Sequence, residues 1–270
     1  MIRDITLGQY YPVNSILHRL DPRVKLFGTM IFLIALFIGD SWLGYLLSTI
    51  FLAGVIELSK VPFRFMVKGL RTVILLLLVS VGFNIFLTEG DVVFQIWIFK
   101  ATRQGIILAV FMGIRLVYLM IGSSVMTLTT TPNALTDGLE KGLGFLKAVK
   151  VPVHEIAMMM SIALRFIPVL IEETDKIMKA QMARGADFEK GNLIQKAKAM
   201  VPLLVPLFIS AFRRATDLAM AMEARCYHGG DGRTKMKPLV YKRVDYIAYT
   251  ILLLYLGAAI ILAFCKGRTA

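Results

Sequence analysis

Residues 72–88 read TVILLLLVSVGFNIFLT and contain no charged side chain. A helix needs about 20 mostly apolar residues to cross the hydrocarbon core of a bilayer, and about 17 is the lower end of the range. A second uncharged stretch, YIAYTILLLYLGAAIILAFC, occupies residues 246–265. Two such stretches are typical of a membrane protein rather than a soluble domain.

Three further stretches extend the predicted membrane crossings to five. Lys25 lies at the end of the stretch 24–39, where a long side chain can reach the interface. Arg115 interrupts the stretch 104–130. The sequence therefore predicts an all-α integral membrane protein with about five transmembrane helices. Between the third and fourth crossings, the apolar run at 92–99 predicts either a short strand or a dip at the outer surface. The three added crossings are residues 24–39, 42–56 and 104–130.

The composition of the 270 residues agrees with a membrane location. Hydrophobic residues make up 57% and charged residues only 18%, against about 25% charged in soluble domains. These values exclude a disordered chain and an ordinary cytosolic enzyme. The net charge is nevertheless +13, which in so apolar a chain indicates a basic cytoplasmic face rather than nucleic-acid binding. Cys226 and Cys265 form neither a disulfide framework nor a metal-binding spacing.

The distribution of Lys and Arg predicts the orientation. Basic residues flank the first crossing on its N-terminal side and fill the connection between the second and third crossings, whereas the first connection, Gly39-Asp40-Ser41, carries none. The positive-inside rule places the N-terminus in the cytoplasm. We therefore predict four membrane crossings within residues 1–130, a cytoplasmic region over 131–240, and a last membrane helix within 241–270.

The predicted cytoplasmic region has the periodicity of long helices. Residues 133–243 carry 18 Lys and Arg against 11 Asp and Glu, so +7 of the net charge lies there. One helix is predicted over 153–184 and another from the N-cap Asn192 to Arg225, each with an apolar stripe and a charged face. Such helices lie at an interface or pack on other helices. A soluble helical hairpin between membrane segments is the alternative.

The two long helices end alike, in the pattern A-x-x-A-R at 180–184 and again at 221–225. A single Arg at a helix C-terminus would only complement the helix dipole, which contributes about 0.3–1 kcal/mol. Two arginines in the same context, at the ends of two long helices, indicate a pair of docking residues. A planar guanidinium suits carboxylates or carbonyl groups on another protein.

With these residues the chain resembles the CbiQ/EcfT family, the transmembrane components of energy-coupling factor (ECF) transporters. Residues 17–26 (LHRLDPRVKL) resemble the family's opening motif, and 164–168 (LRFIP) and 201–207 (VPLLVPL) resemble its helix-kinking segments. The tripeptides Ala183-Arg184-Gly185 and Ala224-Arg225-Cys226 match its two X-Arg-X motifs. Cys226 stands where glycine is common. The resemblance covers nearly the whole chain.

The resemblance implies a coupling subunit of an ABC importer in a bacterial or archaeal cell membrane. Its long amphipathic cytoplasmic helices would be coupling helices, and the two tripeptides would dock on two ABC ATPase subunits of the EcfA type. The apolar faces would hold one substrate-binding S component that takes up a vitamin or another micronutrient. The chain itself would hold no cofactor, because the ATPases bind the ATP. Residues expected to face the S component are Met160, Leu164, Met178, Met182, Leu204, Phe208 and Met222.

Methionine is concentrated in the cytoplasmic region, where nine of the 15 methionines lie between Lys150 and Lys237. Methionine adapts to varied surfaces, which favours a module that accepts several S components. Plain filling of a helical core explains the same pattern equally well.

Two other classes of protein are alternatives to a transport coupling subunit: an intramembrane enzyme and a secondary transporter. An intramembrane enzyme is disfavoured, because His154-Glu155 begins like a zinc-protease helix but Met158 stands where the second histidine is needed. Neither a nucleophile elbow nor a P-loop occurs. A secondary transporter driven by an ion gradient would use a charge inside the membrane, for which Arg115 is the candidate and Glu57 a possible partner. We favour a structural or snorkelling charge at Arg115. A secondary transporter usually shows internal repeats of its membrane half, and this sequence shows none there.

Overall fold

The computed structural model describes residues 10–39, 41–88, 91–96, 99–186, 188, 192–230 and 236–269. The described elements are helices α1 (Ile16–Arg19), α2 (Pro22–Ile38), α3 (Trp42–Ser59) and α4 (Phe63–Leu87), strands β1 (Val92–Ile96) and β2 (Phe99–Thr102), helices α5 (Arg103–Thr129) and α6 (Pro132–Gly142), a 3-10 helix (Gly144–Val149), and helices α7 (Val153–Ala183), α8 (Leu193–Ala224) and α9 (Arg243–Thr269).

These elements form two compact units. The bundle unit contains residues 10–139 and 239–269, and therefore α1 to α5, most of α6, and α9. The hairpin unit contains residues 140–238, with the 3-10 helix, α7 and α8. Each unit is described by itself below.

All five predicted crossings are helical. Helices α3, α5 and α9 are long and apolar enough to span a membrane, which confirms the all-α membrane class. Helix α4 begins at Phe63, nine residues before the uncharged stretch, so basic residues that we had assigned to the preceding connection are helical. Helix α7 and residues 198–224 of α8 also meet the requirements of a span by length and hydropathy. Their location in the cytoplasm stays a prediction.

The connection between α4 and α5 is a β-hairpin, which decides between the two predicted alternatives in favour of a strand. Strands β1 and β2 pair antiparallel, with a bulge between Val92 and Phe94. Trp97 and Ile98 of this run, and Asp40 of the first connection, lie outside the described residues.

The core of the bundle unit centres on three aromatic rings from α2, α3 and α9. The ring centroids of Phe51 and Tyr255 lie 4.3 Å apart, and Phe32 stacks on both at 5.8 and 6.1 Å. The Tyr255 hydroxyl is 2.9 Å from the Ser48 hydroxyl, so its polar end is satisfied. Gly122 of α5 lies against this packing, and a Cβ there would come within 2.6 Å of the Phe32 ring, so a larger residue would force the ring to shift. Small residues of this kind allow membrane helices to approach closely.

A buried polar cluster, formed by Asp21, Arg23, Tyr241 and Asp245, joins the start of α2 to the start of α9. Asp21 caps α2, and Pro22 follows at the first position of the helix. The Asp245 carboxylate accepts from the backbone N–H of Asp21 at 2.8 Å and of Lys242 at 2.7 Å. Arg23 donates twice to Asp21 at 3.0 Å and lies 3.9 Å from the Tyr241 ring centroid. Burial opposes ionisation of Asp21, yet the hydrogen bonds from Arg23 keep the pKa of its carboxyl below the ordinary value.

Candidate functional site

The candidate site is built on the antiparallel pair α7 and α8. Glu173 of α7 accepts from the Ser210 hydroxyl at 2.5 Å and from Arg214 at 2.8 Å. Further along α7, the Gln181 amide lies 3.4 Å from the carbonyl oxygen of Pro202. Residue numbers therefore rise on α7 as they fall on α8. The C-terminal ends of the two helices consequently point in opposite directions.

Helix α7 ends in a Schellman motif centred on the first predicted docking arginine. Arg184 is the C-cap, and Gly185 follows with φ +90°, the left-handed conformation that glycine adopts without strain. The Gly185 N–H donates to the Met182 carbonyl, and the Ala186 N–H to the Gln181 carbonyl, both at 3.0 Å. These two bonds satisfy carbonyls that the end of a helix would otherwise leave unpaired.

Helix α8 ends in the same motif. Arg225 is the C-cap, and Cys226 takes the left-handed position with φ +55°. Its N–H donates to the Glu223 carbonyl at 2.8 Å, and the Tyr227 N–H to the Met222 carbonyl at 3.0 Å. The cysteine thus preserves the cap geometry that glycine gives at the end of α7. The two X-Arg-X tripeptides are equivalent in backbone conformation as well as in sequence.

All six residues of the two tripeptides are exposed. Neither the Arg184 nor the Arg225 guanidinium makes a hydrogen bond or ion pair with another described residue. Because α7 and α8 run antiparallel, the two arginines lie at opposite ends of the pair. From the paired positions and a rise of 1.5 Å per residue, their separation along the pair is on the order of 35 Å. At this separation the two arginines are too far apart to form one joint site.

The equivalence of the two caps gives a test at Cys226. Replacing Cys226 with glycine should stabilise the end of α8 by about 1 kcal/mol, because a left-handed residue with a Cβ is strained. The control Cys226→Ala removes the thiol but keeps the Cβ and should give no gain. Hydrogen exchange of the amides at 226 and 227 measures the effect. Equal protection in the glycine and alanine variants would contradict a strained cap.

The residues predicted to face an S component divide into two groups. Four of them are exposed in the hairpin unit, including Met182 at 50% and Phe208 at 61%, with Met160 and Leu204. Leu164, Met178 and Met222 are partly buried. The middle of α8 also exposes apolar residues outside the predicted stripe: Val205, Ile209 and Phe212. The exposed apolar surface of α8 is therefore wider than the single stripe inferred from the sequence.

The contact that joins α7 to α8 was not predicted from the sequence. The sequence places Glu173 on the charged face of α7, opposite the apolar stripe, yet Glu173 binds Ser210 and Arg214 of α8. The two hydrogen bonds lower the pKa of its carboxyl, with Ser210 the larger contributor. A carboxylate on one helix and a basic residue on the next gives only a weak signal, because the sequence contains many such pairs.

The histidines make local contacts. His154 Nδ1 lies 2.9 Å from Glu140 Oε1, within the hairpin unit. His18 Nε2 faces the Tyr11 carbonyl at 3.0 Å, so this nitrogen carries the proton, and Nδ1 accepts from the Ser15 hydroxyl at 2.7 Å. Within the described part of the chain, no three His, Cys, Asp or Glu side chains group as metal ligands.

Arg115 lies among aromatic side chains of the bundle unit. Its guanidinium carbon is 5.3 Å from the Phe37 ring centroid and 6.0 Å from that of Tyr45. These are cation–π distances, which favour a packing role. Glu57 is exposed and stands twelve residues beyond Tyr45 on α3, about 18 Å along the helix. The suggested pairing of Arg115 with Glu57 is therefore wrong.

Comparison with known proteins places this chain in a family. A family model named CbiQ and described as cobalt transport protein matches residues 13–236. The chain belongs to the CbiQ/EcfT family. The match includes the opening motif and both X-Arg-X tripeptides, so the resemblance drawn from those residues is confirmed.

Relatives in the CbiQ/EcfT family align along nearly their full length. A protein from Clostridium kluyveri is 56% identical over 250 residues, which covers 92% of this chain and 93% of the relative. A protein from Ruminiclostridium cellulolyticum is 50% identical over 264 residues, covering 98% and 99%. One from Bacillus subtilis is 50% identical over 246 residues, covering 91% and 93%. Each is named energy-coupling factor transporter transmembrane protein EcfT.

Membership in the CbiQ/EcfT family and the long apolar helices together make this chain an integral membrane protein. It is a transmembrane component of the ECF transporter type. The names of the relatives describe transport subunits, which agrees with a role outside catalysis.

Proposed function

We propose that the chain is the coupling subunit of an ECF-type ABC importer. Arg184 and Arg225 each dock on one of two ABC ATPase subunits, and the hairpin unit transmits ATPase movement to one S component. The observation that carries the proposal is the pair of exposed arginines on matching Schellman caps, at opposite ends of one helix pair. Two separated contacts of the same kind fit two copies or homologues of one subunit.

Transmission of ATPase movement requires a mechanical link between the two ends of the hairpin unit. The Glu173 contact to Ser210 and Arg214 joins α7 and α8 between their ends, so a displacement at one end can reach the other. Exposed apolar side chains on α8 supply the surface for an S component, which takes up a vitamin or another micronutrient. The ATPases bind and hydrolyse the ATP. The N-terminus lies in the cytoplasm, and the chain resides in a bacterial or archaeal cell membrane.

Reconstitution of the purified chain with its co-purifying subunits tests the proposal. We expect uptake into vesicles to require ATP on the side of the ATPases and to continue when ion gradients are collapsed. Uptake that runs on an ion gradient without ATP would favour the secondary transporter instead. Identification of the co-purifying proteins should show two ABC ATPase subunits and one small membrane protein.

A further inference from the structure

The bundle unit holds an apolar cavity of about 390 Å³ between α2, α3, α5 and α9. Its walls include Phe32, Val55 and Ile251, and Lys25 supplies the charge among its described lining residues. The Lys25 ammonium donates to the carbonyl oxygen of Thr129 at 2.8 Å. The ammonium is thus held by the backbone, and the cavity is left with aliphatic and aromatic walls. Such a cavity suits a hydrocarbon chain.

A second cavity, of about 480 Å³, adjoins the first and is lined by both apolar and polar side chains, three of which are charged. The two cavities share the lining residues Ile16 and Leu58. Arg19 and Lys60 line the second cavity, are exposed, and make no side-chain hydrogen bond or ion pair with another described residue. Glu57 contributes a carboxylate. Two cations against one carboxylate leave the second cavity with a net positive charge.

We propose that these adjoining cavities bind one anionic phospholipid, phosphatidylglycerol. Its phosphate lies between Arg19 and Lys60, which attract and donate to it. A headgroup hydroxyl donates to Glu57, and one acyl chain enters the apolar cavity. The charge balance favours a lipid of net charge −1 over a zwitterionic one. The carboxylate favours a headgroup that carries hydroxyl donors.

This lipid site is separate from the proposed coupling mechanism, because its residues belong to the bundle unit and the docking arginines to the hairpin unit. It can therefore be tested without ATPases or an S component.

Native mass spectrometry of the delipidated full-length chain, titrated with mixed micelles of stated lipid, tests the proposal. We expect phosphatidylglycerol to bind at least fivefold more tightly than phosphatidylcholine or phosphatidylethanolamine. The double variant Arg19→Gln/Lys60→Gln should lose about 25-fold in affinity for phosphatidylglycerol, at about fivefold for each cation. The control Lys176→Gln/Lys179→Gln removes two exposed cations from α7 and should change affinity less than twofold.

Free glycerol phosphate, added as a competitor, separates the headgroup from the whole lipid. It should displace phosphatidylglycerol only at much higher concentration, because it lacks the acyl chain. Competition at equal concentration would overturn the role of the apolar cavity. Equal binding of the three lipids, or equal losses in the two double variants, would overturn the site. The preference ratio between lipids is measured on the folded species, so it stays informative if a variant is less stable.

Discussion

Replacing both Arg184 and Arg225 with alanine is expected to abolish uptake and to release the ATPase subunits. Both arginines are exposed and their guanidinium groups make no hydrogen bond or ion pair with another described residue, so we expect the substitutions to leave the hairpin unit intact. Truncating one partner of a charged contact that is buried on binding costs about 2–5 kcal/mol. The affinity at each proposed docking point should therefore fall at least tenfold. Pull-down of the ATPases and uptake into vesicles measure the two losses.

Three matched single variants make this test specific. Arg213→Ala removes an exposed arginine from the middle of α8 and should leave both pull-down and uptake near the wild-type level. Replacing either docking arginine with lysine keeps the charge but loses the planar fork, and should still impair coupling. Normal pull-down together with normal uptake in the double alanine variant would refute the docking role.

Replacing Asp245 with alanine is expected to cause the largest loss of stability in the bundle unit. Asp245 is 1% exposed, and its carboxylate accepts from the backbone N–H groups of Asp21 and Lys242. Alanine would leave one buried donor and one partly buried donor unpaired, and would remove the link between α2 and α9. A hydrogen bond to a charged group contributes about 1.5–3 kcal/mol, so we expect a total loss of about 3–5 kcal/mol. Thermal unfolding in detergent, followed by size-exclusion chromatography, measures the change.

Asp217→Ala provides the control for this prediction, because it removes an exposed carboxylate from α8 and should change stability by less than about 0.5 kcal/mol. Asp245→Asn keeps one acceptor oxygen in the same shape and should fall between wild type and alanine. If the alanine variant unfolds at the same temperature as the Asp217 control, the two backbone contacts do not stabilise the junction.

The ends of the long helices were predictable because local chemistry fixes them. Asn192 precedes α8 as expected, and the Gln195 side chain accepts from its N–H at 3.1 Å. Gly185 ends α7 in the left-handed conformation. The prolines at 168, 202 and 206 did not interrupt the helices, since tertiary packing can carry a helix through the lost donors. The start of α4 was missed because basic residues are compatible with both a helix and a connection.

The candidate site was also predicted only in part from the sequence. The matching ends of the two helices could be predicted from the sequence, because a repeated A-x-x-A-R pattern at the end of an apolar stripe is a local signal; the docking role of the two tripeptides stays a prediction. The exposed face of α8 was only partly predicted, since Val205 and Phe212 fall outside the single stripe. Helical periodicity locates an apolar face when only one face of the helix is apolar, whereas the middle of α8 exposes apolar side chains beyond a single stripe.

By itself the sequence determined the membrane class, the two long helices and the arginine at the end of each, because these depend on runs and spacings within one segment. Only the tertiary structure decided that α7 and α8 run antiparallel, that Glu173 joins them, and that Asp245 connects α9 to the start of α2. These contacts link residues from 21 to 224 positions apart. No local pattern selects one such partner among many charged or polar candidates, since the choice is made by packing of the whole unit.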